Sequence, residues 1–428
     1  LVIGLDLGTA FTQVVVGEAR TKYAIPWVNP VTDTSDYLLP GVLYINNSGE
    51  CALSPYSTNG EAISDLKLRL LSGDRSVASL SYITAYIALV LRHTITFIMS
   101  EHKTVYGNFT IDWMVNVGLP TDDYHNVELV SLYQKIISNA RQISAMPSSV
   151  HLHACRNLVE NEPVENTENN DLDRITAVPE FVAQITGYVK SPLRNPDLHL
   201  LVDVGAGTVD VTLFNVHEHD GEDAFPIFGK SVELLGTRYL VKNRLKLSPY
   251  LQETGELGPF SQIPNEANFA KLLGVSEPQL KQQDSGFKSK FKKQITRLLQ
   301  YTRSQRYPQS VTWSQGIPTF FCGGGSRCDF YRDGINEILN SYKLDIRSLT
   351  SLTNLEAKGI RKMDYDRFSV AHGLSYDRDD LGEVTRSDEI EDVVDTKTSK
   401  SGLCPVCNGF GNNLSFRSCQ KCGGSGFL

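Results

Sequence analysis

The stretch "LVDVGAGTVDVTLFNV" at residues 201–216 decides how the rest of the sequence is interpreted. Its apolar and polar residues alternate as in a half-buried strand, and the small residues 205–207 interrupt the alternation. Glycines open a tight turn and let backbone N–H groups approach a ligand closely. Asp203 and Asp210 flank this turn and could face one bound ion from its two sides. An ordinary hairpin turn explains the same residues, so the choice between a ligand-binding turn and an ordinary one depends on whether the pattern occurs again in the sequence.

A second copy lies near the beginning of the sequence. "VIGLDLGTAFTQVVV" (2–16) and "LVDVGAGTVDVTLFN" (201–215) share a strand, an aspartate, a glycine-containing turn, a threonine and another strand. A third glycine turn, "GGGS" at 323–326, follows a further strand. Two such hairpins predict two similar lobes, each offering a phosphate loop to one ligand between them. We therefore interpret the interruption at 205–207 as a phosphate-binding turn.

Composition describes a soluble, mildly acidic protein. The chain has 428 residues, a formal net charge of -8 and 41% hydrophobic residues, enough for two or more lobes with their own cores. This charge disfavours a general nucleic-acid binder. No secretory signal is evident, and the cysteine usage indicates a reducing compartment, so we expect a cytoplasmic protein. The most apolar window, 82–99, carries Arg92 and His93 near its middle, which favours a buried helix over a membrane span.

The hairpins resemble those of the actin-like ATPases, and specifically the nucleotide-binding domain of the heat shock protein 70 family. "GLDLGTA" is similar to the first phosphate motif, "VDVGAGTVD" to the second and "GGGSR" to the adenosine motif. The resemblance implies an α/β fold with two ribonuclease H-like lobes over residues 1–385. Lobe I is expected at about 1–195 plus the last helix at about 368–385, and lobe II at about 196–367. The remaining residues are too few for the family's substrate-binding β-sandwich and lid.

The resemblance also assigns a lysine and a glutamate to catalysis. "SDLKLRLL" (64–71) is similar to the segment with the family's catalytic lysine, which implies that role for Lys67. "PEFVAQITGY" (179–188) is similar to the segment with the catalytic glutamate, which implies Glu180. The triplet "NEP" at 161–163 offers Glu162 as an alternative. Glu162 precedes a polar loop, whereas an apolar helix follows Glu180 as the family pattern requires, so we favour Glu180.

The implied ligands are Mg²⁺ and ATP or ADP. In-line attack of water on a γ-phosphate needs positioning and charge neutralisation, which a lysine, a glutamate and Mg²⁺-binding carboxylates supply. Alanines replace a threonine and a glycine that are usual in the two phosphate loops, but they leave the backbone donors intact. The basic helix at 287–303 matches the adenine-contacting helix in three residues and is equally consistent with a solvated surface.

These considerations give two sets of candidate residues. The predicted catalytic residues are Lys67, Glu180, Asp203 and Thr208. The predicted nucleotide-binding residues are Asp6, Gly8, Thr9, Ala10, Gly205, Ala206, Gly207, Asp210, Lys292, Lys293, Thr296, Gly324, Gly325 and Ser326.

The end of the sequence carries a separate motif. Residues 386–402 are polar and are expected to form a linker. In "CPVCNGFGNNLSFRSCQKCGGSGF" (404–427), Cys404, Cys407, Cys419 and Cys422 form two C-x-x-C pairs. Four thiolates suit a closed structural zinc site, and disulfides are the alternative. The pattern is similar to half of the zinc region of DnaJ-type co-chaperones, which implies a zinc ribbon at 403–428 that docks a protein partner or client.

The sequence thus predicts an ATP-hydrolysing, chaperone-like conformational switch. A nucleotide-binding scaffold that senses ATP without turnover is a second hypothesis. A third is a small-molecule kinase of the same fold, which requires an acceptor pocket and a base that the sequence does not reveal.

Overall fold

The computed structural model describes residues 1–27, 36–55, 60–120, 126–161, 172–219, 222–248, 263–349, 354–359, 362–385 and 389–390. These residues form a mixed α/β structure with two compact units. The first unit holds the described residues of 1–191 and 354–381, and the second holds those of 192–248, 263–349 and 382–390. The predicted zinc ribbon, with Cys404, Cys407, Cys419 and Cys422, lies outside the described residues.

The elements are numbered in chain order. The strands are β1 (Val2–Leu7), β2 (Phe11–Gly17), β3 (Lys22–Ala24), β4 (Leu39–Pro40), β5 (Leu43–Asn46), β6 (Cys51–Ala52), β7 (Gly60–Ile63), β8 (Met114–Leu119), β9 (Ile175–Pro179), β10 (Asp197–Val204), β11 (Val209–His219), β12 (Glu222–Glu233), β13 (Ile317–Cys322), β14 (Leu344–Arg347), β15 (Leu355–Glu356) and β16 (Glu383–Thr385). The α-helices are α1 (Leu66–Leu71), α2 (Val77–Glu101), α3 (Lys103–Tyr106), α4 (Val127–Ala145), α5 (Leu152–Glu160), α6 (Glu180–Val189), α7 (Thr237–Leu245), α8 (Glu266–Leu273), α9 (Glu277–Tyr301), α10 (Thr312–Gln315), α11 (Asp329–Tyr342) and α12 (Ser369–Leu374).

The main sheet of the first unit is built around β1. Its strand order is β15-β3-β2-β1-β8-β9, with β4 paired to β2. β1, β2 and β3 form an antiparallel meander, whereas β8 and β9 run parallel to β1. The apolar residues of β1, β2 and β8 lie in one buried core with α2 and α4. β5, β6 and β7 form a separate three-stranded sheet.

The sheet of the second unit repeats this arrangement. Its strand order is β14-β13-β10-β11-β12-β16, in which β10, β11 and β12 form the antiparallel meander. β13 and β14 run parallel to β10, as β8 and β9 run parallel to β1. The two hairpins of the sequence repeat are therefore the equivalent first two strands of two sheets with the same central order.

Several helices begin at side-chain caps that the sequence supplies. The Ser76 hydroxyl accepts a hydrogen bond from the Ser79 N–H at the start of α2, and the Asn126 side-chain oxygen Oδ1 accepts one from the Leu129 N–H at the start of α4. α9 begins with a capping box between Ser276 and Gln279. These caps place the helix starts independently of the packing that follows.

Helix α2 contains the most apolar window of the sequence, residues 82–99. Of the described helices, it alone has the length and composition of a membrane span. Its Arg92 guanidinium donates to four carbonyl oxygens at the end of α4, including Ile143 and Met146 at 2.8 and 2.9 Å. His93 stacks on Trp27 with ring centroids 4.5 Å apart. The polar side chains in the middle of α2 are thus used within the first unit, and the prediction of a buried helix is confirmed.

Two boundaries differ from those expected. Residues 354–359 and 362–367, expected in lobe II, belong to the first unit because β15 pairs with β3. Residues 382–385, expected to continue the last helix of lobe I, form β16 in the second unit because they pair with β12. Strands of two or three residues have no local sequence signal, so only their pairing reveals where they belong.

Candidate functional site

The first group of predicted residues lies where the parallel strands of the first unit end. β1 pairs with β8 and β8 pairs with β9, so their carboxyl ends share one edge of the sheet. Asp6 is near the end of β1, Gly118 near the end of β8, and Glu180 directly follows β9 as the first residue of α6. A carboxylate in the first turn of a helix is stabilised by the positive end of the helix dipole. Polar groups therefore converge at this edge, as they do in sites built on parallel strands.

Lys67 and Glu180 form an ion pair. The Lys67 ammonium donates to Glu180 Oε1 at 2.5 Å, across 113 residues of sequence. The two side chains are 8% and 19% exposed, so the pair is largely shielded from water. Lys67 is the second residue of the short helix α1, and Glu180 opens α6. The two predicted catalytic residues are thus brought together, which supports Glu180 over Glu162, a residue outside the described part of the chain.

The charge of Lys67 is fixed by its surroundings. Burial by itself would lower the pKa of Lys67, but the Glu180 carboxylate, with smaller contributions from Tyr133 and Asp6, raises that pKa overall. A lysine with a raised pKa stays protonated through the physiological range and loses its charge only as the pH rises through that pKa. Lys67 therefore acts as a fixed cation at this site and is not a proton acceptor near pH 7.

Close backbone packing holds Glu180 in place. A Cβ at Gly118 would lie 2.8 Å from Glu180 Cγ, so β8 approaches the glutamate side chain directly. A Cβ at Gly373 of α12 would lie 1.9 Å from the Ala183 carbonyl oxygen, and one at Gly4 would lie 2.3 Å from the Ala371 carbonyl oxygen. Small residues thus let α12 pack between β1 and α6, which ties the helix carrying Glu180 to the strand carrying Asp6.

The first hairpin loop, residues 8–10, connects β1 to β2. A Cβ at Gly8 would lie 2.3 Å from the Phe11 carbonyl oxygen, so only glycine fits this tight turn. The Ala10 carbonyl oxygen accepts a hydrogen bond from the Gly41 N–H at 2.8 Å. Thr9 lies between them in the turn. The loop directly follows Asp6 and Leu7 at the sheet edge described above.

The second hairpin pairs two of the predicted metal-binding carboxylates. Asp203 of β10 and Asp210 of β11 are direct cross-strand partners in the antiparallel register. Directly opposed residues of an antiparallel pair point to the same face of the sheet. The loop between the strands is closed by a hydrogen bond from the Gly205 N–H to the Thr208 carbonyl oxygen at 2.9 Å. The structure thus places both aspartates beside one turn, as the sequence predicted.

The second hairpin loop, residues 205–208, rests on the beginning of α7. The carbonyl oxygens of Gly205, Ala206 and Gly207 each accept a hydrogen bond from a backbone N–H at this helix start. The donors are Thr237 at 3.0 Å, Arg238 at 2.9 Å and Gly236 at 3.1 Å, respectively.

This contact fixes the direction of three N–H groups. In a trans peptide the C=O bond and the N–H of the next residue point in opposite directions, and the described chain has no cis peptide. The N–H groups of Ala206, Gly207 and Thr208 therefore point away from α7. None of the three donates to a backbone carbonyl oxygen within the described part of the chain. Successive N–H groups that face one side form an anion-binding concavity.

The third glycine turn meets the same hairpin. β13 runs beside β10, with Cys322 opposite Asp203, and the turn begins at the next residue, Gly323. A Cβ at Gly323 would lie 2.1 Å from Asp203 Oδ1, and one at Gly325 would lie 2.4 Å from Val204 Cγ1. Gly324 and Ser326 belong to the same 3₁₀ turn, in which the Ser326 hydroxyl donates to the Gly323 carbonyl oxygen at 2.8 Å. The two predicted motifs are therefore in contact.

The predicted adenine-contacting residues on α9 do not share one surface. Thr296 is 4% exposed; its hydroxyl donates to the Lys293 carbonyl oxygen at 3.5 Å and lies near the partly buried Tyr342 of α11. The Lys292 ammonium donates to Glu337 of α11 at 2.5 Å, while Lys293 is exposed. The structure thus places this face of α9 against α11, and an adenine contact from these residues stays a prediction.

Three glycines of the site were not in the predicted set of binding residues, although Gly323 opens the third glycine turn that the sequence predicted. Gly118 lies against the Glu180 side chain, Gly236 against the second hairpin loop, and Gly323 against Asp203. Each approaches a residue far away in sequence, so its neighbourhood in the sequence does not reveal the contact. Local signals exist at Gly236, which directly precedes a helix, and at Gly323, which follows a strand and opens the glycine turn.

A scan against protein-family models and a search of the curated proteins found no match for this chain. The candidate site is therefore characterised by the geometry above.

Proposed function

We propose that this protein binds Mg²⁺ with ATP or ADP and hydrolyses ATP, as an actin-like ATPase of the heat shock protein 70 type. The observation that carries the proposal is the second hairpin loop, where three N–H groups face one side between Asp203 and Asp210. Such a loop binds phosphate oxygens, and its neighbouring carboxylates suit Mg²⁺. The equal central strand order of the two sheets supports two ribonuclease H-like lobes.

The residues present fit Mg²⁺ bound mostly through water. This ion prefers oxygen ligands and keeps several of its waters, so a few carboxylates near the phosphates are enough. Asp203 and Asp210 face the same side of their hairpin, and Asp6 stands beside the first hairpin loop. The ion would neutralise phosphate charge. The loops themselves would orient the phosphates through backbone N–H groups and the hydroxyls of Thr9 and Thr208.

The ion pair of the first unit supplies the groups for hydrolysis. Lys67, whose pKa is raised, is protonated near pH 7 and would stabilise the negative charge that develops on the transferred phosphoryl group. Glu180 would orient the attacking water or accept its proton. In the structure Glu180 already holds Lys67 at 2.5 Å, so the pair sets the position of both groups before a ligand arrives.

The same ion pair favours one alternative. A glutamate that stays bonded to Lys67 after ATP binds is not available to water, and the protein would then sense ATP without turning it over. The two hypotheses predict the same binding and differ in phosphate release.

We expect Lys67→Ala and Glu180→Gln each to slow ATP hydrolysis by about 10²-fold or more, because one removes a charge-stabilising cation and the other a proton acceptor. Both variants should still bind ATP. Single-turnover release of labelled phosphate, with protein in excess, measures the step directly.

Exposed residues of the same two types provide controls. Lys103 and Glu101 lie on the surface of the same unit. The variants Lys103→Ala and Glu101→Gln should therefore release phosphate at the wild-type rate. A wild-type protein that binds ATP without releasing phosphate would establish the sensing alternative. Full activity in both Lys67→Ala and Glu180→Gln would refute the assignment of the catalytic pair.

We further propose that the four C-terminal cysteines bind one zinc ion and dock a protein partner or client. A segment this short cannot build an apolar core, so the metal would supply its folding energy. Replacing Cys404 and Cys407 by serine should release the zinc and abolish partner capture while nucleotide binding persists. Metal analysis and calorimetry on the same sample test this. Retention of a full equivalent of zinc in the double variant would contradict it.

A further inference from the structure

The start of α7 is a candidate positioning element for the second hairpin loop. A helix begins with N–H groups that have no partner inside the helix and that attract anions. In α7 these groups are used differently, because the N–H groups of residues 236–238 donate to three successive carbonyl oxygens of the loop. The helix start therefore binds protein backbone, and the loop presents its own N–H groups on the opposite side.

We infer that Gly236 and the Thr237 N–H are positioning groups that hold the second hairpin loop in its phosphate-binding conformation. This inference rests on the proposed nucleotide binding. Without the three hydrogen bonds, each loop peptide could rotate and turn its carbonyl oxygen toward a phosphate. A carbonyl oxygen repels the phosphate that an N–H attracts, so rotation of one peptide both removes a donor and adds an unfavourable contact.

Gly236 is required because the loop backbone lies directly against it. A Cβ at this position would lie 2.6 Å from the Ala206 carbonyl oxygen and 2.6 Å from the Gly207 carbonyl carbon. These are backbone atoms, which cannot move aside as the end of a flexible side chain can. Its φ of -66° is accessible to any residue, so the requirement comes from the approach and not from backbone strain.

Thr237 offers a substitution that removes one donor and little else. It is the first residue of α7, a position where proline is well tolerated because its fixed φ suits a helix start. Gly236 has a ψ of 173°, which is compatible with a following proline. Thr237→Pro therefore deletes the N–H that donates to the Gly205 carbonyl oxygen. Thr237→Ala loses the same side chain but keeps that N–H, and it is the matched comparison.

The experiment compares the affinities of the full-length chain for ADP and for adenosine, which lacks phosphates. We expect Gly236→Ala to weaken ADP binding about tenfold or more. We expect Thr237→Pro to weaken it about 3- to 10-fold relative to Thr237→Ala, as the loss of one hydrogen bond implies. Adenosine affinity should not change in any of these variants. Gly286→Ala, at an open position of α9, is the control for a glycine substitution without contacts.

The outcomes separate this inference from the proposed function. The positioning role would be overturned, with nucleotide binding intact, by two results together. Gly236→Ala would bind ADP as tightly as the wild type, and Thr237→Pro would bind ADP as tightly as Thr237→Ala. An equal loss for ADP and adenosine would also overturn it, since a general structural defect affects both ligands. A wild-type protein that binds no ADP would refute the proposed function, and this inference with it. If Gly236→Ala does not fold, the comparison of Thr237→Pro with Thr237→Ala still tests the positioning role.

Discussion

Replacing Asp284 with alanine is expected to lower the free energy of unfolding of the second unit by about 3–5 kcal/mol, because it leaves a buried charge without its partner. The Arg244 side chain of α7 and the Asp284 carboxylate of α9 are 1% and 3% exposed. Arg244 Nη2 and Nε donate to Asp284 Oδ2 at 2.7 and 3.0 Å. The guanidinium also lies 4.9 Å from the Phe269 ring centroid and 5.7 Å from that of Phe330, so aromatic rings surround it where water would lie at a surface.

Two comparison variants test whether the expected loss of stability comes from leaving a buried charge unpaired. Arg244→Met with Asp284→Leu removes both charges, and this double variant should be much closer to wild type than Asp284→Ala. Glu337→Ala breaks the more exposed pair with Lys292 and should cost about 0–1 kcal/mol. Urea unfolding followed by Trp313 fluorescence, with Trp27 and Trp113 replaced by phenylalanine, reports on the second unit. A loss below about 1 kcal/mol for Asp284→Ala would show that the pair does not stabilise this core.

Gly323→Ala is expected to destabilise the second unit by about 2–4 kcal/mol and to weaken nucleotide binding more than tenfold. Gly323 has φ 81° and ψ 165°, a conformation that is essentially restricted to glycine. The added Cβ would also lie 2.1 Å from Asp203 Oδ1 and 2.6 Å from the Val204 carbonyl oxygen. The strand end that carries Asp203 must therefore move, which displaces the carboxylate from its partner Asp210.

Gly49→Ala separates the stability cost of a positive φ from the cost of the steric clash with Asp203 and Val204. Gly49 has a φ of 82° and no neighbouring atom within 4 Å of an added Cβ. It should show the stability cost of a positive φ, about 1–2 kcal/mol, without any effect on nucleotide affinity. Thermal unfolding and ADP titration of both variants measure the two quantities. If Gly323→Ala binds ADP like the wild type, the proposed contact between the glycine turn and the nucleotide site is wrong.

The parts of the site that the sequence predicted are those determined by the pattern of neighbouring residues. The alternation around residues 205–207 predicted both strands and the loop of the second hairpin, and the register places Asp203 opposite Asp210. The apolar segment after Pro179 predicted α6 with Glu180 at its start. The apolar window at 82–99 predicted the middle of α2, and the shorter α1 before it ends just before Gly73, whose φ is 81°.

The parts that were not predicted depend on contacts between distant residues. Lys67 and Glu180 are 113 residues apart; the family resemblance implied a catalytic role for each, but no local pattern predicts their ion pair. The support of the second hairpin loop by Gly236 depends on where α7 packs after a long strand. β15 and β16 have two and three residues, and propensity summed over so short a segment carries no information.

The discontinuity of the first unit has a consequence for its folding during synthesis. β15 and α12, which complete this unit, come from residues 355–374, after most of the second unit has been made. Until α12 leaves the ribosome, the face of β1 at Gly4 has nothing packed on it, because the Ala371 carbonyl oxygen is what covers that position. The nascent chain therefore carries an incompletely covered apolar sheet while the second unit is being made, and such surfaces promote aggregation. Ribosome-bound chains truncated before residue 369 should consequently be far more sensitive to protease in residues 1–191 than chains that extend past residue 381.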